Sequence, residues 1–152
     1  MNTAAMMAFL HHVAAFTLVG ALMVELALFG SNLDLRQARK VQRADLAYGM
    51  SAGVLLVVGF LRVWYFEKGS AYYFQNAFFI AKMSLFILVA LLSIYPTVLF
   101  VSWNKQLKMG LLPQLPDAQV RRVRAVMLLE LSGVVGILLC VSLMARGIGM
   151  IE

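Results

Sequence analysis

The chain has few charged side chains, and fewer of these are acidic than basic. Only 13% of its 152 residues are charged, seven of them Asp or Glu, whereas 62% are hydrophobic. A soluble domain is typically about half apolar and about one quarter charged. The composition therefore excludes an ordinary soluble globular protein.

Cysteine and histidine are also scarce. The one cysteine, Cys140, excludes an intramolecular disulfide and a CxxC metal motif, and we interpret it as a small buried apolar residue. His11 and His12 are the only histidines, and both lie inside the first apolar stretch. An ionisable residue inside a membrane span needs a polar partner, a metal or a water-filled cavity. The pair therefore marks a candidate functional site.

Four apolar stretches are each long enough to cross a bilayer, which takes about 20 helical residues. They cover about 4–31, 46–66, 76–103 and 123–148. Uninterrupted apolar runs such as Leu85 to Leu92 do not fit the alternating pattern of a barrel strand, so the spans must be helices. The sequence predicts an all-α, integral membrane four-helix bundle in a single domain, 1–152. The first stretch lacks a basic n-region, so we expect it to be retained rather than cleaved.

Basic residues are concentrated in two of the three predicted loops. Nine of the thirteen Lys and Arg residues lie there: Arg36, Arg39, Lys40, Arg43, Lys105, Lys108, Arg121, Arg122 and Arg124. Short basic loops stay on the cytoplasmic side. We therefore expect both termini and the 67–75 connection to face outward. The net charge of +6 is then a signal of topology and of attraction to anionic membrane lipid, not of nucleic-acid binding.

Two residues are expected to mark the start of one predicted helix and a bend in another. Asp45 is well placed as the N-cap of the second helix, where its carboxylate would meet free amide groups. Pro96 lies inside the third stretch and should kink it or free a carbonyl group.

Polar side chains inside the stretches fall into two layers, placed by a rise of about 1.5 Å per helical residue. The outer layer is basic and contains His11, His12, Arg62, Lys82 and Arg146. The inner layer is acidic and contains Glu25 and Glu130. Alternative interpretations are that the arginines extend to lipid headgroups and that the glutamates are protonated structural hydrogen-bonding residues.

Helical phase separates the two histidines. Glu25 follows His11 by 14 residues, about four turns, so these two side chains share a face, and Met7 lies one turn away on it. His12 is rotated by about 100° and cannot point at the same place. His11 is therefore the better internal ligand, and a hydrogen bond to a neighbouring helix is at least as good an interpretation for His12.

Haem b is one ligand that suits a histidine, a lysine and an arginine at one end of a helical bundle. Its iron takes an imidazole, here His11, and its propionates would meet Arg62 and Lys82. The sixth iron ligand would be absent, a water, a methionine such as Met7, or a histidine of a second protomer. A quinone would use the same cations without a metal, and copper would use Met6, Met7, His11 and His12. A scaffold without catalytic activity is a further alternative.

Three segments resemble the HemJ-type protoporphyrinogen IX oxidases. They are Asn76 to Leu85 with Lys82 at its centre, the pair Leu10-His11, and the helix start from Arg124 to Glu130. The wider group includes CopD-like copper-resistance proteins and small membrane families without an assigned function. The strings Tyr65 to Gly69 and Tyr95-Pro96-Thr97 look most like one of these unassigned families.

The resemblance implies a multi-pass protein of the bacterial inner membrane that binds haem b and carries out redox chemistry. The reaction would be porphyrinogen oxidation or electron exchange with quinone. Lys82, Glu25 and Glu130 would be the catalytic residues, the two glutamates passing protons toward the cytoplasmic side. A CopD-like copper transporter is the alternative function.

Overall fold

A computed structural model describes residues 2–66 and 74–150 of the chain. Four long helices in this part are α1 (Thr3–Leu28), α2 (Leu35–Leu61), α3 (Ala77–Ser102) and α5 (Asp117–Ala145). A π-helical turn, Arg62–Phe66, continues α2, and the short α4 (Asn104–Lys108) follows α3. All four long helices are long and apolar enough to span a membrane. The predicted all-α membrane four-helix bundle is confirmed, whereas most of the predicted 67–75 loop lies outside the described residues.

The start of α2 differs from the prediction. The helix begins at Leu35 rather than near 46, and its N-cap is Asp34, not Asp45. Asp34 and Gln37 form a capping box in which the Asp34 carboxylate accepts a hydrogen bond from the Gln37 amide at 2.6 Å. The intervening Arg, Lys, Gln and Ala residues are good helix formers, so the helix continues beyond the apolar run. Asp45 consequently lies about three turns inside α2 and caps nothing.

The remaining boundaries agree with the prediction to within a few residues, except at α5. That helix begins at Asp117 rather than 123, so Arg121, Arg122 and Arg124 are helical and not part of a loop. Likewise, the basic residues between 36 and 43 occupy the first turns of α2. The charges that set the expected topology therefore lie on helix extensions.

The buried core lies where these basic extensions meet, a region that we call the basic end. Phe29 packs against both Phe100 and Trp103, with ring centroids 5.5 and 6.3 Å away. Further core residues come from α1, α2 and α5: Leu18, Leu22, Leu26, Val41, Tyr48, Val123 and Met127. We call the opposite end, with His11, Arg62 and Lys82, the histidine end.

The helices associate as two pairs. α1 packs mainly on α2, and α3 mainly on α5. At the basic end, Arg124 of α5 donates hydrogen bonds to the carbonyls of Leu26 and Phe29 at 3.2 and 2.8 Å. Arg39 donates to the carbonyl of Leu107 at 3.2 Å. Each arginine thus satisfies carbonyl groups that a helix end leaves without an intrahelical partner, and Arg124 ties one pair of helices to the other.

Candidate functional site

His11 lies half-buried between α1 and α2. Its imidazole faces Gly59, where a Cβ atom would stand 3.4 Å from His11 Cε1. His11 Nδ1 is buried and makes no hydrogen bond. The imidazole therefore packs directly against Gly59, and within the described residues its Nδ1 has no hydrogen-bond partner.

His12 takes a different position, as its helical phase predicts. Its side chain is exposed on the outer surface of α1, and its Nδ1–H donates to the carbonyl of Ala8 at 2.7 Å. The two imidazoles meet edge to face with centroids 6.4 Å apart. The hydrogen bond that the structure shows for His12 is therefore to α1 itself and not to a neighbouring helix.

Arg62 and Lys82 lie close enough to His11 to interact with it electrostatically. Arg62 is half-buried and opens the π-helical turn, against which α1 packs. Such turns are frequent at functional sites. Lys82 is half-buried on α3, and its Nζ stands 4.7 Å from the centroid of the Phe79 ring. Three predicted site residues from three helices therefore come together at the histidine end.

Met7 and Arg146, which the sequence analysis also assigned to this end of the bundle, lie at the margin of the site around His11. Met7 is half-buried one turn before His11 on α1. Arg146 is exposed and serves as the C-cap of α5. The position of Arg146 fits the alternative interpretation, in which this side chain extends toward lipid headgroups.

Three carboxyl groups gather in the interior toward the basic end, and we call them with Tyr48 the carboxylate cluster. Glu25 is 2% exposed, Glu130 1% and Asp45 7%. Glu25 interacts electrostatically with Asp45 and Glu130, while the Tyr48 side chain is hydrogen-bonded to Glu130. Asp45 accepts a hydrogen bond of 2.6 Å from the Thr97 hydroxyl on α3. The cluster thus joins side chains from α1, α2 and α5 and contacts α3.

In the part of the chain that the structure describes, two carboxyl oxygens of this cluster are buried without a hydrogen-bond partner, Glu25 Oε1 and Glu130 Oε1. A buried polar atom without a partner is rare, since its desolvation is not compensated. Purely structural glutamates would normally satisfy both oxygens.

Asp45, Tyr48 and Thr97 are members of this site that sequence reasoning missed. The available signal was the Asp34-x-x-Gln37 pattern, a capping-box signature that places the start of α2 eleven residues before the predicted one. With that start, Asp45 and Tyr48 fall three residues apart on one helical face. Thr97 gave no comparable signal, because its contact depends on how α3 packs against α2.

Fold and site together define an integral membrane four-helix protein with polar groups buried near both ends of the bundle. A family model described as "Predicted membrane protein (DUF2214)" matches residues 3–149, and the chain belongs to this family. The match confirms an uncharacterised membrane family and does not support HemJ-type or CopD-like membership specifically. No curated protein and no solved structure matches the chain significantly.

Proposed function

We propose that the protein is a membrane redox protein that binds haem b at the histidine end, with His11 as an axial ligand of the iron. The position of His11 carries this proposal, because its half-buried imidazole has a buried nitrogen without a partner. A histidine retained for packing normally has its buried ring nitrogen hydrogen-bonded. A ligand histidine must instead be held with one nitrogen available to a metal.

The donor set suits a porphyrin better than a bare metal ion. Within residues 2–66 and 74–150, no group of three His, Cys, Asp or Glu side chains is placed to hold a metal ion. A haem iron needs only one or two protein ligands, since the porphyrin supplies the other four nitrogens. One histidine with neighbouring cations is thus sufficient to bind haem. It is too small a ligand set for copper, because the other expected copper ligands include His12 and Met6, which are both exposed.

The cations around His11 favour a bound molecule that carries anionic groups. Arg62 and Lys82 would hold the haem propionates or the carboxylates of an anionic substrate, and Gly59 leaves room beside the imidazole. Haem b, when bound, supplies a one-electron iron couple. The chain orients the imidazole, neutralises anionic groups and excludes water with its apolar helices.

The reaction class that we propose is porphyrinogen oxidation or electron exchange with a quinone in the bacterial inner membrane. Lys82 is the proposed catalytic residue nearest to the bound molecule. Glu25 lies about 21 Å from His11 along α1, so the glutamates would handle protons at a distance from the iron. A second copy of the chain is one proposed source of the sixth iron ligand.

Absorbance of the purified protein in detergent, oxidised and reduced, tests this function. We expect a Soret band that is lost in His11→Ala and retained in His12→Ala, the matched control on the outer surface of the same helix. Lys82→Ala should lower haem occupancy or change the redox potential. A colourless protein that takes up no haem on reconstitution would refute the proposal, and bound copper would then support the CopD-like alternative.

A further inference from the structure

A groove of about 830 Å³ runs between α2 and α3 near the basic end. Cations from α2 and α4 line it, namely Arg39, Arg43 and Lys108, and it extends to Asp45 and Thr97. Neither Glu25 nor Glu130 lines this groove. Asp45 is therefore the member of the carboxylate cluster that connects the buried site to the groove.

The titratable groups of the cluster come from three of the four long helices. Glu25 belongs to α1, Asp45 and Tyr48 to α2, and Glu130 to α5. α3 contributes the neutral hydroxyl of Thr97. The nearest cation on α5, Arg124, donates hydrogen bonds to α1 carbonyls. The described side chains that face the cluster are thus mainly acidic.

Three ionised carboxylates in one desolvated cluster would repel one another and lose most of their hydration. A proton relieves both costs, because it removes a charge and supplies an O–H donor. The unpartnered Oε1 atoms of Glu25 and Glu130, both more than nine-tenths buried, are the natural places for exchangeable protons. The described residues contain no group suited to a metal ion, which makes the proton the better ligand here.

We propose that Glu25, Asp45, Tyr48 and Glu130 form a proton-binding site that exchanges protons with the aqueous phase at the basic end through this groove. Asp45 is the first carboxyl group on the route. The hydrogen bond from Thr97 orients it, and Glu25, Tyr48 and Glu130 lie close enough to Asp45 to interact with it electrostatically. The cations of the groove attract anionic buffer groups, which can deliver protons to Asp45 and accept protons from it. This inference rests on the proton role that the proposed function gives to the two glutamates, but its tests do not depend on haem.

Infrared spectroscopy of the full chain in liposomes tests the binding site. We expect a carbonyl-stretch band of protonated carboxylic acid at neutral pH that shifts on transfer to D₂O. Glu25→Gln and Glu130→Gln should each remove part of it. Asp34→Asn is the control, because Asp34 is an exposed cap and asparagine caps helices equally well.

Three results would overturn the binding site. They are the absence of a protonated band in the unmodified chain, a band that neither glutamine variant changes, and a band that sodium chloride removes but choline chloride does not. The last would assign a sodium ion in place of the proton. All three are read from carboxyl groups, so they are independent of the Soret band that tests haem binding.

The route through the groove has its own test. Gly49 lines the groove, and a Cβ atom there would meet nothing within 4 Å, so we expect leucine to extend into the groove. We expect Gly49→Leu to slow the D₂O shift of the carboxyl band severalfold. Gly20→Leu, at an equally open position on α1, should leave the rate unchanged. Equal exchange in the Gly49 variant and the unmodified chain would overturn the route.

Discussion

Gly59 and His11 form the contact at which a large side chain would displace the proposed ligand. Leucine at 59 would push into the imidazole, because even a Cβ atom there already reaches 3.4 Å from His11 Cε1. Overpacking of this kind costs about 1–3 kcal/mol. Since about 1.4 kcal/mol corresponds to a factor of ten, we predict that Gly59→Leu weakens haem binding about tenfold or more in a titration followed at the Soret band.

Gly53→Leu provides the matched control for that titration. Gly53 lies on the same helix, and a side chain there meets nothing within 4 Å. Its haem affinity should equal that of the unmodified chain. If both leucine variants bind haem as tightly as the unmodified chain, the assignment of the site to the contact between α1 and α2 is wrong.

Residue positions were predictable where helical phase alone decides them. The separation of His11 from His12 follows from a rotation of about 100° per residue, and the structure places the two rings accordingly. The burial of Glu25 and Glu130 followed from their depth in apolar stretches. Asp45 was misinterpreted because a carboxylate before an apolar run looks like an N-cap, whereas its actual partner, Thr97, is 52 residues away.

At the scale of helices, Asn76 connects the start of α3 to the end of the described chain. It is 0% exposed, and its side-chain oxygen accepts from the amides of Phe78 and Phe79 at 2.9 and 3.3 Å. Its side-chain amide donates to the carbonyl of Ile148 at 3.1 Å. One side chain thus caps α3 and holds the segment that follows α5, close to Phe79 and Lys82.

We predict that Asn76→Ala lowers the free energy of unfolding by about 1–3 kcal/mol, because it removes an N-cap and leaves buried backbone groups unpaired. Thermal unfolding in detergent, followed by circular dichroism, measures this effect. Asn2→Ala is the control, since Asn2 caps α1 at an exposed position and has one such bond, to the amide of Ala4. An equal loss of unfolding free energy in both variants would contradict the conclusion that the Asn76 side chain holds the segment after α5.

The presence of the four long helices was predictable from the sequence, but the residues at which they begin and end were less so. Hydrophobic length located all four spans, since about 20 apolar residues are needed to cross a bilayer. The first turns of α2 are polar, so hydropathy placed its start too late, although helix propensity and the Asp34 capping box support the earlier one. The π-helical turn at Arg62 had no sequence signal, because it depends on packing against α1.

Over the whole molecule, the tightly packed core and the basic helix extensions lie at the same end. Arginine side chains there donate hydrogen bonds to backbone carbonyls at the ends of α1 and α4. The pairing of α1 with α2 and of α3 with α5 was not predictable from composition, because all four spans are similarly apolar. The pairing determines which polar residues meet, and so it determines the composition of both candidate sites.

Orientation in the membrane follows from these basic extensions, which should remain cytoplasmic. Single cysteines at the exposed Asn2 and Gln114, in a Cys140→Ala background, report it with an impermeant maleimide applied to intact bacterial cells whose outer membrane is permeabilised. We predict labelling of Asn2→Cys and not of Gln114→Cys until the cells are lysed. The reverse pattern would place the histidine end in the cytoplasm and refute the expected topology.

The central claim is that the His11 imidazole binds the iron of haem b, and rescue by free imidazole tests it most directly. His11→Gly should be purified with little haem and should regain the Soret band and the reduced spectrum of the unmodified chain when haem and imidazole are added together. His12→Gly should bind haem without added imidazole. A His11→Gly protein that holds haem with an unchanged spectrum in the absence of imidazole would contradict the account.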